Sequence, residues 1–171
     1  MPGAGTDKTK DWVERPAPCV VLVEPQLSDN IGAAARAMAN FGLSRLRLVN
    51  PREGWPAERA YVMASGAHRI LEQAQVFDSV EAAIGDLNFV FATTARAHDQ
   101  AKPVVDAAAA AHIAASKVAA SESVGLMFGR ERNGLENDEV ALADRIITLP
   151  VNPAFASLNL GQAVEIGRAH V

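Results

Sequence analysis

Cysteine is all but missing from this sequence. Cys19 stands alone in 171 residues, within the apolar run "CVVLVEP", so no disulfide can staple the fold and a reduced compartment is expected. The four histidines, His68, His98, His112 and His170, show no metal-ligand spacing with it, and no metal is expected. No apolar run reaches the length of a membrane span and no signal-peptide pattern opens the chain, which leads to the expectation of a soluble cytoplasmic protein without membrane partners. A G-x-G-x-x-G fingerprint, a Walker loop, a nucleophile elbow and internal repeats are missing too, which argues against dinucleotide folds, phosphate-loop enzymes and serine hydrolases. Nor is there an excess of positive charge. At a formal net charge of −4, a basic face could exist only if the charges were segregated, so the total neither supports nor excludes RNA. Arginine outnumbers lysine 12 to 4, and arginine is the better fork for phosphate, although genome composition would give the same bias.

What is present is a chain long enough to bury a real core unaided. Residues 1–18, "MPGAGTDKTKDWVERPAP", are polar and Pro/Gly-rich and read as a flexible tail; residues 19–171 read as a single domain. Short apolar, β-rich runs at 19–25, 46–51, 75–77, 89–94, 124–129 and 145–150 alternate with helical patterns at 29–41, 57–64, 79–84, 105–120 and 137–143, and a last helix starts near Ser157. That alternation predicts an α/β fold with a mainly parallel sheet flanked by helices, and the continuous apolar character of the strands predicts cover on both faces. Ser28 or Asp29 should open the first helix and Gly42 close it.

Ligands of open parallel sheets sit outside the carboxyl ends of the strands. Every unusual cluster falls at such an end: "EPQLSDNIG", "TTARAHD", "GRERNGLEND" and "PVNPAFASLN". In the first helix, Gly32, Arg36 and Asn40 follow one another at i, i+4 beside an apolar stripe of Ile31, Ala34, Ala35 and Met38. Arg36 would then lean past Gly32 toward the strand end that carries Asn30, or it is a solvated surface arginine. Gly129 would let a ligand approach the backbone, while Glu131, between Arg130 and Arg132, reads either as part of an ion-pair knot or as an oriented acceptor. Ser157 and Asn159 stand where a helix N-terminus could meet a polar ligand, though capping alone would explain one of them. Thr93 and Thr94 repeat the theme, with Arg96 just beyond.

Three of these clusters, in this order, resemble the motifs of the SpoU class of the SPOUT RNA methyltransferases, and within it the TrmJ type. The first is Asn30-x-Gly32-x-x-x-Arg36, the second "GLMFGRERNGL" with Gly129 and Glu131, the third "LPVNPAFASLNLGQAV" with Ser157, Leu158 and Asn159. The resemblance implies an S-adenosylmethionine-dependent 2'-O-methyltransferase acting on a ribose of the tRNA anticodon loop, or on rRNA, as a homodimer with a C-terminal deep trefoil knot and no DNA partner. It places the cofactor against Thr93, Thr94, Ala95, Gly129, Leu149, Ala156, Ser157 and Leu158, and catalytic and substrate roles on Asn30, Arg36, Glu131, Ser157 and Asn159. Arg36, Arg96, Arg130 and Arg132 are the candidates for RNA contacts. The family's last helix runs further than "AVEIGRAHV", so the resemblance implies an end that is cut short or altered here. The alternatives are a knotted RNA- or cofactor-binding module without catalysis, and a flavodoxin-type nucleotide module, which would want a phosphate loop where "EPQLSDNIG" has one glycine.

Overall fold

Parallel strands follow from the apolar runs because helices cover the sheet on both faces. A computed structural model describes residues 16–40, 42–94 and 102–148. Its strands are β1 (Cys19–Val23), β2 (Leu46–Val49), β3 (Gln75–Phe77), β4 (Phe89–Thr94), β5 (Val104–Val105), β6 (Val124–Phe128) and β7 (Arg145–Thr148). Among the described residues they form one sheet in the order β3-β2-β1-β6-β4-β7-β5, parallel throughout. Six helices accompany them there: α1 (Ser28–Asn40), α2 (Glu58–Ala64), α3 (His68–Glu72), α4 (Val80–Ile84), α5 (Ala107–Ala119) and α6 (Asn137–Ala141).

Both β1 and β6 are buried along their whole length. Val20, Leu22, Leu126 and Phe128 join Ile31, Ala35 and Ala110 in one core, while Cys19, Val21, Val23 and Met127 join Val80, Val140 and Ala143 in the other. Successive side chains on a strand alternate between faces, so an unbroken apolar run supplies two cores at once. From β1 the chain moves outward to β2 and β3, and the later strands then build on the other side of β1. The sheet order reverses between β1 and β6, which makes the carboxyl ends of these two strands the crevice where ligands bind in open parallel sheets.

Local differences from the sequence reading have local causes. Helix α5 begins at Ala107 because the Asp106 side chain accepts the Ala109 N–H at 2.8 Å, and Val104 and Val105 pair instead with Ile146 and Ile147. The short α3, behind the Gly66 turn, had no readable period. Gly42 does end α1, with a left-handed φ of 74° and a Leu43 N–H that reaches back to the Met38 carbonyl at 3.0 Å. The helix expected near Ser157 and the knot lie outside the described residues. No helix among the described residues is long and apolar enough to cross a membrane.

The small residues of α1 serve packing. A Cβ added to Gly32 would overlap the Ala60 carbonyl oxygen, so glycine is what lets α1 and α2 lie close together. The space beside Gly32 is thus filled by α2 and is not open to a ligand.

Candidate active site

The turn from β1 into α1 must present several backbone N–H groups that no helix can satisfy. Loops from the two neighbouring strands take them. On the β6 side, the Glu131 carboxylate accepts the Gln26 N–H at 2.8 Å, the Leu27 N–H at 2.9 Å and the side-chain amide of Asn30 at 2.8 Å. On the β2 side, Glu53 accepts the Ser28 N–H at 2.6 Å, and the Arg52 N–H binds the Pro25 carbonyl at 3.0 Å. The Ser28 N–H holds the Glu53 carboxyl below the usual carboxylate range. Asp29 is drawn the same way by Arg59, whose guanidinium bonds both its oxygens at 2.8 and 3.1 Å.

Asn30 and Glu131, 101 residues apart, thus form one hydrogen-bonded unit. Of the two sequence readings of Glu131, the oriented acceptor is the observed one. The ion-pair knot is there too, but it belongs to Arg130. Its guanidinium, 10% exposed, is forked onto Glu139 at 2.9 and 3.1 Å, pairs with Glu24 and the Gly134 carbonyl, and lies 3.9 Å from Glu136. These carboxylates, Glu139 first, stabilise the cation still further. Arg130 is therefore corrected as a candidate RNA contact, because its fork is already taken by carboxylates and the surrounding charge is negative.

Arg36, two turns into α1, is exposed and meets no hydrogen-bond or ionic partner among the described residues; the same holds for Arg132. Thr93, Thr94 and Gly129 come together at the carboxyl ends of the paired strands β4 and β6. The Thr93 hydroxyl donates to the Met127 carbonyl at 2.7 Å, so what Thr93 can offer a ligand is backbone. At Gly129 an added Cβ would overlap the backbone of Gly134 and Leu135. The chain's own loop, not a ligand, occupies that approach, which corrects the reason given for this glycine. Ala95, Arg96, Leu149, Ala156, Ser157, Leu158 and Asn159 lie outside the described residues.

The sequence reading passed over Glu24, Glu53 and Glu139. Glu24 and Glu53 stand just after strand ends, which was the available signal; Glu139 sits in an acidic stretch that looks solvated, yet it is buried.

A parallel sheet covered on both faces thus carries Asn30 of one motif bonded to Glu131 of the next, at the reversal of strand order. The SpoU rRNA Methylase family model matches residues 17–168, and the chain belongs to that family. Among its relatives is the tRNA (cytidine/uridine/adenosine-2'-O-)-methyltransferase TrmJ of Pseudomonas aeruginosa, 42% identical over 147 residues, which are 86% of this chain and 57% of that protein. The crystal structure of TrmJ from Z. mobilis ZM4 is 52% identical, with a TM-score of 0.79, covering 90% of this chain and 68% of that one. The SpoU methyltransferase AviRb from Streptomyces viridochromogenes, solved in complex with AdoMet, shares the fold at a TM-score of 0.63 and 16% identity, covering 93% of this chain and 61% of that one. The chain spans between 57% and 60% of the length of the first three curated relatives it matches.

Proposed function

We propose that this chain carries the catalytic domain of an S-adenosylmethionine-dependent RNA 2'-O-methyltransferase, acting as a homodimer on a ribose of the tRNA anticodon loop. The observation that supports this reading above all is the bond between Asn30 and Glu131 at the carboxyl ends of β1 and β6, with Arg36 exposed on the helix that follows β1. A relative named as a tRNA 2'-O-methyltransferase supports the substrate class.

The cofactor supplies an electrophilic methyl group on a sulfonium when bound. Thr93, Thr94 and Gly129 fit such a group by place, since they gather backbone at the carboxyl ends of adjacent parallel strands. Ala95, Leu149, Ala156, Ser157 and Leu158 complete the proposed cofactor set. What the protein then has to do is align the ribose oxygen and help it lose a proton. A guanidinium is a poor proton acceptor but a good clamp for phosphate. Arg36 therefore holds the phosphate beside the target ribose and polarises its hydroxyl, Glu131 fixes Asn30 at the foot of the same helix, and Ser157 and Asn159 of the third motif share the catalytic and substrate roles. Arg96 and Arg132 contact phosphates further out.

Transfer of labelled methyl from S-adenosylmethionine to tRNA transcripts, with 2'-deoxy substitutions at candidate anticodon-loop positions, tests the reading. Label is expected to disappear with one substitution; cofactor binding without transfer to any RNA would make the domain a binding module. Arg36→Ala should lower kcat by roughly 10²–10³-fold, the scale for losing one preorganised charge-stabilising group, with cofactor affinity unchanged. A pH–rate profile whose controlling ionisation vanishes in Arg36→Lys would make Arg36 the base instead of the clamp.

A further inference from the structure

The Arg130 knot has a position that surface ion pairs do not. Glu24 is the first residue after β1 and adopts a left-handed φ of 48°, which turns the chain out of the sheet and toward α1. Its side chain bonds Arg130, and its N–H donates to the Val49 carbonyl at 2.7 Å. Arg130 reaches on to Glu139 of α6 and to the Gly134 carbonyl of its own loop. The next residue, Glu131, sends its carboxylate the other way, to Gln26, Leu27 and Asn30. Adjacent residues on one loop therefore grip both ends of the turn from β1.

We infer that Arg130 is a positioning residue for the reaction: by tying Glu24 to Glu139 it fixes the turn into α1 against the loop of Glu131, and so sets the place of Asn30 and Arg36. The charge around it excludes a role as phosphate ligand. Glu24, Glu136 and Glu139 surround a single guanidinium, and both its terminal nitrogens are already bonded. Without that cation, three carboxylates would face one another, and the turn would lose its hold at Glu24, which leaves the Gln26 and Leu27 N–H bonds to Glu131 on a turn fixed at one end only and so more often open. The catalytic consequence rests on the methyltransferase reading; the structural one does not.

The test compares Arg130→Gln, Arg130→Lys and Glu24→Gln in the full chain. Amide hydrogen exchange at Gln26 and Leu27 should quicken about tenfold in Arg130→Gln, while core amides of β1 and β2 stay within about twofold of the parent. Methyl transfer should lose about tenfold in kcat, with KM for RNA within about twofold and with partial recovery in Arg130→Lys. The slope of log binding constant against log salt should stay that of the parent, whereas a phosphate ligand would lower it by about one. Unchanged exchange at Gln26 and Leu27, unchanged kcat, or a reduced salt slope overturns the inference. If Arg130→Gln does not fold, Glu24→Gln carries the exchange measurement, and parental exchange in that variant overturns it equally. A parent protein that methylates no RNA would sink the proposed function and leave the exchange result to decide this inference alone.

Discussion

Two Arg–Glu dipeptides flank the turn into α1, Arg52 with Glu53 after β2 and Arg130 with Glu131 after β6. In each the carboxylate accepts N–H groups of that turn, and in each the chain follows the end of a strand next to β1. The arginines part company. Arg52 is exposed, with no side-chain partner among the described residues, while Arg130 is nearly buried and forked onto carboxylates. The difference lies in what stands nearby: α6 brings Glu139 beneath the β6 loop, and Glu24 reaches the same point from β1. The same dipeptide is thus a light clip on one side of the turn and a locked joint on the other.

The widest contrast should come from deleting the two guanidiniums. Arg130→Met leaves the buried Glu139 without its partner and should cost about 3 kcal/mol in urea denaturation, at the lower end for a broken buried pair because Glu24 is half exposed. Arg52→Met should stay within about 0.5 kcal/mol. Equal losses would erase the distinction.

The glycines of the two loops should differ less. Gly129→Ala forces a Cβ into the backbone of Gly134 and Leu135 and should cost about 2–3 kcal/mol by the same assay. Gly54→Ala, next to Glu53, meets open space and pays only for its left-handed φ of 84°, about 1 kcal/mol.

Acid should bring out the smallest effect. A carboxyl held below its unfolded value by the Ser28 N–H adds stability above that unfolded value, and the gain is lost as pH falls through the folded one. Glu53→Gln should therefore flatten the fall of Tm between about pH 5 and pH 3, leaving the share that comes from Asp29 beside Arg59. An unaltered acid limb would mean that the β2 clip contributes nothing.

Much of this fold could be read locally. The run of valines and leucines at 19–23 and the glycine at 42 mean the same thing in any neighbourhood, because strand burial and a left-handed helix end depend on residues close in the chain. Asn30 and Glu131 were each legible as members of a cluster at a strand end. That they bond one another was not, since 101 residues separate them and only the adjacency of β1 and β6 closes the gap. For Gly32 and Gly129 the residue type pointed correctly to close approach but not to what approaches: Ala60 in one case, Gly134 in the other. Glu139 was passed over because an acidic stretch looks solvated until a buried guanidinium stands opposite it.

By itself the sequence determined most of the strands and helices, though not β5 or α3, and that the sheet would be parallel and covered on both faces, because hydrophobic burial follows a short-range period along the chain. Only the tertiary structure decided which arginine locks a turn and which stays exposed, because the strength of a charged pair depends on partners and burial that strand order brings together from distant parts of the chain.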